Sequence, residues 1–172
     1  MTFTTSLKEE ISQTNLNIQE SRIALESFIK YCGKFSKDIV LTMENGAVAR
    51  RIYKEIKKVY DITPIITIRN QKRFRIKQIY ILTIKDKVDF IRDDITIRYP
   101  ISELSSDEEK VAYLRGAFLA VGNISNPQTS GYHLEFICST PKYAKDVKCV
   151  LDFFNFEAKI ITRGYKSVVY IK

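Results

Sequence analysis

Histidine is nearly absent from this chain, and cysteine and glycine are scarce: one His, three Cys and six Gly in 172 residues. Each scarcity closes off a kind of chemistry. The glycines form neither a phosphate-cradling loop nor a dinucleotide fingerprint. Cys32, Cys138 and Cys149 are odd in number and widely spaced, so they make neither a zinc site nor a disulfide framework. They read as small buried apolar residues in a reducing compartment. His133, beside Glu135 on an alternating stretch, reads as structural. No serine or cysteine lies in a recognisable nucleophile motif, and no cofactor is expected. No apolar run approaches the roughly 20 residues that span a bilayer. The opening residues contain no apolar signal region. A soluble, cytoplasmic monomer is expected.

Positive charge is what the chain has in excess. Its 28 Lys and Arg against 20 Asp and Glu give a net charge of +8, which favours an anionic partner, nucleic acid first. Apolar periodicity and caps then divide the sequence. A capping-box pattern, Ser6 to Glu9, opens a short helix, and Asn17 with Glu20 opens another that runs to Gly33. A short hairpin is read over Lys34 to Met43. Asn45-Gly46 opens a helix with Ala49, Ile52, Ile56 and Val59 on one side. The β-branched runs Ile62 to Arg69 and Phe74 to Ile84 make a second hairpin. The looser stretch Lys85 to Glu103 reads as a linker.

The same order then restarts. Ser105 to Glu109 opens a helix that stops at Gly122, strands follow on either side of an Asn-Pro-Gln-Thr-Ser-Gly turn, and Thr140-Pro141 caps a helix before two closing strands. An offset of 95 maps Asn45 onto Thr140, Ala49 onto Ala144, Ile52 onto Val147, Ile56 onto Leu151 and Val59 onto Phe154. An offset of 89 maps Leu25 onto Leu114 and Gly33 onto Gly122. The difference falls in a turn, where insertions belong. The reading is a duplicated helix-strand-strand-helix-strand-strand unit, paired through the first helices, with Gly116, Ala117 and Ala120 allowing their close approach. Residues 1–20 form an N-terminal helical segment, 21–92 the first repeat, 93–104 a linker and 105–172 the second repeat.

A repeated αββαββ unit whose first helix ends in glycine resembles the LAGLIDADG proteins. Tyr113-Leu-Arg-Gly-Ala-Phe-Leu-Ala-Val-Gly122 is the clearer copy, and Ala24 to Gly33 keeps only the apolar pattern and the glycine. The longer runs Tyr113 to Pro127, Tyr132 to Phe136, Glu44 to Tyr53 and Phe3 to Glu10 resemble the WhiA family of bacterial regulators. That resemblance implies an α+β, homing-endonuclease-like fold: tandem pseudo-twofold repeats forming a saddle-shaped sheet that faces DNA. It also implies transcription regulation in sporulation or cell division, at the nucleoid. A helix-turn-helix domain follows this region in the family, whereas these residues stop at Lys172 on a strand, so promoter reading is assigned to that further part.

LAGLIDADG nucleases hold divalent metal through an acid just before each motif glycine. Here those positions are Cys32 and Val121. Valine offers no ligand and a thiol is a poor one for magnesium, so a non-enzymatic protein is expected. The candidate DNA contacts are the hairpin cations Arg69, Lys72, Arg73, Arg75 and Lys77, five in nine residues, and Lys159, Arg163 and Lys166 in the second copy. Their alternative is a charged edge that discourages aggregation. Arg50, Arg51, Lys54, Lys57 and Lys58, like Lys142, Lys145 and Lys148, are read as solvated helix faces. Phe74, Tyr80 and Tyr165 are read as mostly core. The competing functional reading is a protein-interaction module that controls a DNA-binding partner, which an exposed apolar patch would favour.

Overall fold

The computed structural model describes residues 1–73, 77–97 and 101–172, with the backbone alone at 96, 97 and 102. The described helices are α1 (Phe3–Ser12), α2 (Ile18–Cys32), α3 (Gly46–Tyr60), α4 (Val88–Ile97), α5 (Asp107–Val121), the short α6 (Pro127–Ser130) and α7 (Pro141–Phe153), with a 3-10 turn at Ile101–Glu103. The strands are β1 (Lys34–Phe35), β2 (Ile39–Met43), β3 (Ile65–Gln71), β4 (Lys77–Ile84), β5 (Gly122–Ile124), β6 (Leu134–Cys138), β7 (Lys159–Arg163) and β8 (Lys166–Ile171). They form two antiparallel four-stranded sheets of matching order, β1-β2-β4-β3 and β5-β6-β8-β7. This is the duplicated α+β architecture that the offsets imply. No helix among the described residues is long and apolar enough to cross a membrane.

The caps show why the helices begin where they do. Asn45 Oδ1 accepts from the amides of Ala47 and Val48, and Thr140 Oγ1 accepts from that of Tyr143, so orphan amides of both first turns are satisfied. Asn17 and Glu20 bond each other reciprocally at 2.8 and 2.9 Å. At the N-terminus the structure differs from the expectation. The cap is Thr2, whose hydroxyl accepts from the amide of Thr5, and Ser6 lies inside α1 with its hydroxyl on the Thr2 carbonyl.

Each sheet buries one face against its own helix. Val48, Ala49, Ile52 and Ile56 of α3 pack with Ile39, Leu41, Leu82 and Ile84, while Ala144, Val147, Val150 and Leu151 of α7 pack with Phe136, Cys138 and Val169. Each large side chain that is fully buried contributes roughly 1.5–3 kcal/mol of transfer free energy. The paired helices α2 and α5 join the two cores. Ile23 and Tyr31 of α2 belong to the second cluster, and Leu119 of α5 belongs to the first. The stretch expected to be a linker carries α4, whose Ile91 and Ile95 are buried in the first core.

Gly116 sets the spacing of the pair, since a Cβ there would lie 2.1 Å from the Ala24 carbonyl oxygen. Ser27 Oγ donates to the Tyr113 carbonyl across the same seam at 2.7 Å. Higher up, Lys30 Nζ bonds Asp146 at 2.6 Å and the Tyr113 hydroxyl at 3.0 Å. It lies 5.2–5.4 Å from the ring centres of Tyr31, Tyr113 and Tyr143. Burial lowers the Lys30 pKa, against the Asp146 hydrogen bond.

Candidate nucleic-acid interface

Strand register decides which way the basic side chains point. Residues paired across an antiparallel ladder lie on one face, and successive residues alternate. In the first sheet, Ile39, Leu41, Tyr80, Leu82 and Ile84 face the helices, so Arg69, paired with Ile79, and Lys77, paired with Gln71, lie on the far face. In the second sheet, Phe136, Val169 and Ile160 face the helices. Lys159, paired with Tyr170, and Arg163, paired with Lys166, therefore also lie on the far face. Five of the cations singled out from the sequence thus share a facing that the sequence left open. Lys72 and Arg73 lie beyond the end of β3, and Arg75, like Phe74, is outside the described residues.

These five cations are not electrostatically equivalent. Arg163 Nη1 lies 3.5 Å from Glu135 and Lys77 Nζ lies 3.4 Å from Glu44. Arg69, Lys159 and Lys166 make no ion pair among the described residues. Glu135 is the counter-charge that motif reading missed. It is on the far face, buried to 7% exposure, and accepts from Asn123 at 3.3 Å and is 3.3 Å from His133 Nε2. Burial opposes its ionisation, but the bonds from Asn123 and His133 and the charge of Arg163 outweigh it and hold the carboxyl below the usual range. His133 also stacks on Tyr170, at a centroid distance of 6.0 Å. Lys34 is a further far-face cation, fixed by its pairing with Val40.

Other side chains depart from their expected environment. Arg51 and Lys58 are not simply solvated. Arg51 donates to the carbonyls of Ser12 and Thr14 at 3.2 and 2.5 Å and pairs with Glu55 at 3.0 Å. Lys58 reaches Ser21 Oγ at 3.1 Å and the Leu16 carbonyl at 3.4 Å. Both pin the α1–α2 connection to α3. Lys148 pairs with Asp152 along α7. Tyr165 is fully exposed at the β7–β8 turn, and Cys149 is exposed while Cys138 is buried.

At the ends of the helix pair, Gly33 and Gly122 adopt extended backbone, φ −71° and −78°, and not the left-handed conformation. Glycine is required there for room: a Cβ would come within 2.5 Å of the Ile29 oxygen at Gly33, and within 2.1 Å of the Phe118 ring at Gly122. The residues before them do not fit a divalent cation. Cys32 donates its thiol to the Thr42 carbonyl at 3.4 Å, and burial raises its pKa despite nearby Lys8 and Lys34. Val121 has no donor atom. The charges within electrostatic reach of Cys32 are cations, Lys34 and the Lys8 ammonium, which lies 5.6 Å over the Phe118 ring with its pKa lowered by burial. Among the described residues no three His, Cys, Asp or Glu side chains group to hold a metal.

The model of the WhiA N-terminal LAGLIDADG-like domain matches residues 19–98, and that of the WhiA LAGLIDADG-like domain matches residues 110–172. The chain belongs to the WhiA family. It is 31% identical over 185 residues to the probable cell division protein WhiA of Staphylococcus saprophyticus, and the match takes in 100% of this chain and 59% of that relative. The chain thus spans about three fifths of the length of the WhiA protein it matches. Its fold is similar to the crystal structure of the N-terminal LAGLIDADG domain of DUF199/WhiA, with a TM-score of 0.78, 26% identity, and coverage of 99% of this chain and 86% of that one. The homing endonuclease I-DmoI in complex with DNA and Mn shares the fold alone, at a TM-score of 0.61, 13% identity and 91% coverage of each chain.

Proposed function

We propose that this WhiA-family chain is a regulatory domain that engages duplex DNA through the far faces of its two sheets and does not cleave it. The observation that carries this reading is the common facing of Arg69, Lys77, Lys159, Arg163 and Lys166, set by register in two duplicated sheets. Cations spread over both halves of a pseudo-twofold surface suit two stretches of phosphate backbone, and phosphate contacts position a protein without reading bases. Sequence reading we assign to a helix-turn-helix domain of the kind the family resemblance implies, with the protein acting on the chromosome. The character of Cys32 and Val121 supports the absence of cleavage, because neither supplies a hard oxygen ligand.

The far face of the first sheet favours a second reading in part. Val40, Ile65 and Ile81 lie beside Arg69 and Lys77 there, which suits a protein surface on that half. Fluorescence polarisation of a labelled random duplex, titrated with salt and magnesium, tests the proposal. Three to five engaged cations give a slope of log affinity on log salt of about −2.7 to −4.5. No binding at low salt overturns DNA engagement in favour of the protein surface, and magnesium-dependent cleavage overturns the non-catalytic part.

A further inference from the structure

Strand β3 forms the outer edge of the first sheet, and its edge is lightly defended, with Arg69 as the one charge in its seven residues. All seven residues from Ile65 to Gln71 are exposed, the register with β4 runs unbroken from Ile65 to Gln71, and no proline or bulge interrupts it. Soluble proteins usually blunt such an edge, because its unpaired amides and carbonyls template another strand. Here Ile65, Ile66 and Ile68 are 49%, 47% and 55% exposed. Ile66 and Ile68 point to the helix side, through their pairing with Leu82 and Tyr80. There a groove of about 640 Å³ separates β3 from α3, lined by Arg50, Tyr53, Lys54, Lys57, Lys58 and Ile66. The helix residues recur at i, i+3, i+4, i+7 and i+8, a single stripe of α3. Lys58 is committed to Ser21, whereas Arg50, Lys54 and Lys57 make no ion pair among the described residues.

We propose that this edge and groove bind an extended acidic segment of a partner protein, which adds to the first sheet as a strand beside β3. Its acidic side chains, all of one parity, would lie in the groove, with their methylenes along Tyr53 and beside Ile66 and Ile68 and their carboxylates at Arg50, Lys54 and Lys57, while its apolar side chains of the other parity would lie on the far face beside Ile65 and Thr67. Main-chain pairing supplies affinity in such additions, and the pockets for alternate side chains supply specificity. Charge selects the occupant. A second copy pairing edge to edge would bring two of these cationic stripes together. A nucleic-acid backbone would match the cations but leave the apolar floor of Tyr53 and Ile66 uncovered. The second repeat lacks the arrangement: β7 is two residues shorter, its Ile160 packs on the core, and positions 54 and 57 correspond to Cys149 and Asp152. The groove is therefore not a by-product of the duplicated fold. It is separate from the far-face cations, so it stands or falls independently of DNA engagement.

The test uses a fluorescein-labelled peptide alternating glutamate and valine, roughly ten residues long to cover a strand and its flanks, with a lysine–valine peptide as control. The expected result is saturable binding of the acidic peptide only, at least tenfold weaker for Ile68→Glu and for Lys54→Glu with Lys57→Glu. Amide-exchange protection should appear at alternate residues of β3. Because Ile68 and Lys54 are exposed, these variants keep the fold, which circular dichroism checks. Equal binding of the lysine peptide, absence of saturable binding, or binding without protection of β3 overturns the proposal. So does displacement of the peptide by duplex DNA, which assigns the groove to nucleic acid. Sedimentation as a dimer that Ile68→Glu dissociates assigns the edge to a second copy.

Discussion

Replacing Gly116 with alanine adds one methyl group where α5 crosses α2, and the structure sets the cost. The new carbon would lie 2.1 Å from the Ala24 oxygen, 2.9 Å from the Ala24 carbonyl carbon and 2.9 Å from Ser27 Cβ. That contact must lengthen by roughly 1.4 Å, since packed atoms settle near 3.5 Å. The nearest atom is main chain inside a helix, so it cannot swing aside as a side-chain tip would. The helices must part by about that distance, loosening Leu119 in one core and Ile23 and Tyr31 in the other. Overpacking of this kind costs about 1–3 kcal/mol, and the upper end applies where backbone is the obstacle. Alanine returns about 1 kcal/mol of helix propensity over glycine. The net is a loss of about 2 kcal/mol, or a melting temperature roughly 4–8 °C lower for a chain of this size. Urea and thermal unfolding followed by circular dichroism measure it. A variant as stable as the parent, or more so, refutes the claim that close backbone approach at Gly116 holds the two repeats together.

Arg51→Met should destabilise by about 3–5 kcal/mol, because it strands the buried carboxylate of Glu55 and frees two carbonyls of the α1–α2 connection. The double variant Arg51→Met/Glu55→Met should recover much of that loss, and chemical unfolding of all three proteins decides it. Tyr31→Phe removes a hydroxyl that contacts the Tyr113 hydroxyl at 2.6 Å and donates to the Tyr143 carbonyl at 3.0 Å. It should cost about 1–2 kcal/mol by the same assay. Glu135→Gln should tighten duplex binding roughly fivefold, since about 1 kcal/mol of charge interaction is released around Arg163. The same variant has a pH signature. The folded-state pKa of Glu135 is depressed, so its contribution to stability is full above the ordinary glutamate value of about 4.3 and is lost as pH falls through the lower folded value. Glu135→Gln should therefore unfold less steeply in acid than the parent, and equal acid transitions would contradict the carboxylate's assigned role.

Caps and periodicity exposed most of the fold because they are local. Asn45 and Thr140 cap the helices at the expected positions, and the two sheets share the order that the repeat offsets imply. The helix α4 was hidden because its buried apolar residues among those described, Ile91 and Ile95, are only two among charged neighbours. Its helical identity comes from tertiary burial and not from a strong stripe or cap. Thr2 won over Ser6 as the first cap because both patterns suit a first turn, and only the docking of Thr4 on Ile124 and Asn123 extends the helix toward the N-terminus. The candidate interface was legible as composition but not as a surface. The β3–β4 register puts Arg69 and Lys77 on one face, and neither that register nor the covering of the other face by α3 is written in the local alternation. Glu135 could not be recognised as the partner of Arg163, because β8 lies between their strands. The same holds for Arg51, whose acceptors are carbonyls and leave no mark in the side-chain sequence.

The most direct test compares two triple variants that change net charge by the same amount. One removes three unpaired far-face cations as Arg69→Ala, Lys159→Ala and Lys166→Ala, and the other removes three helix cations as Arg50→Ala, Lys54→Ala and Lys57→Ala. Binding of a random duplex is measured for both across a salt series. If the far faces engage DNA, the first variant loses most of its affinity and its salt slope falls by about 2.7, while the second retains the parent slope. Equal losses would show that only total charge matters, and a larger loss in the second variant would place the duplex on α3 and contradict the account.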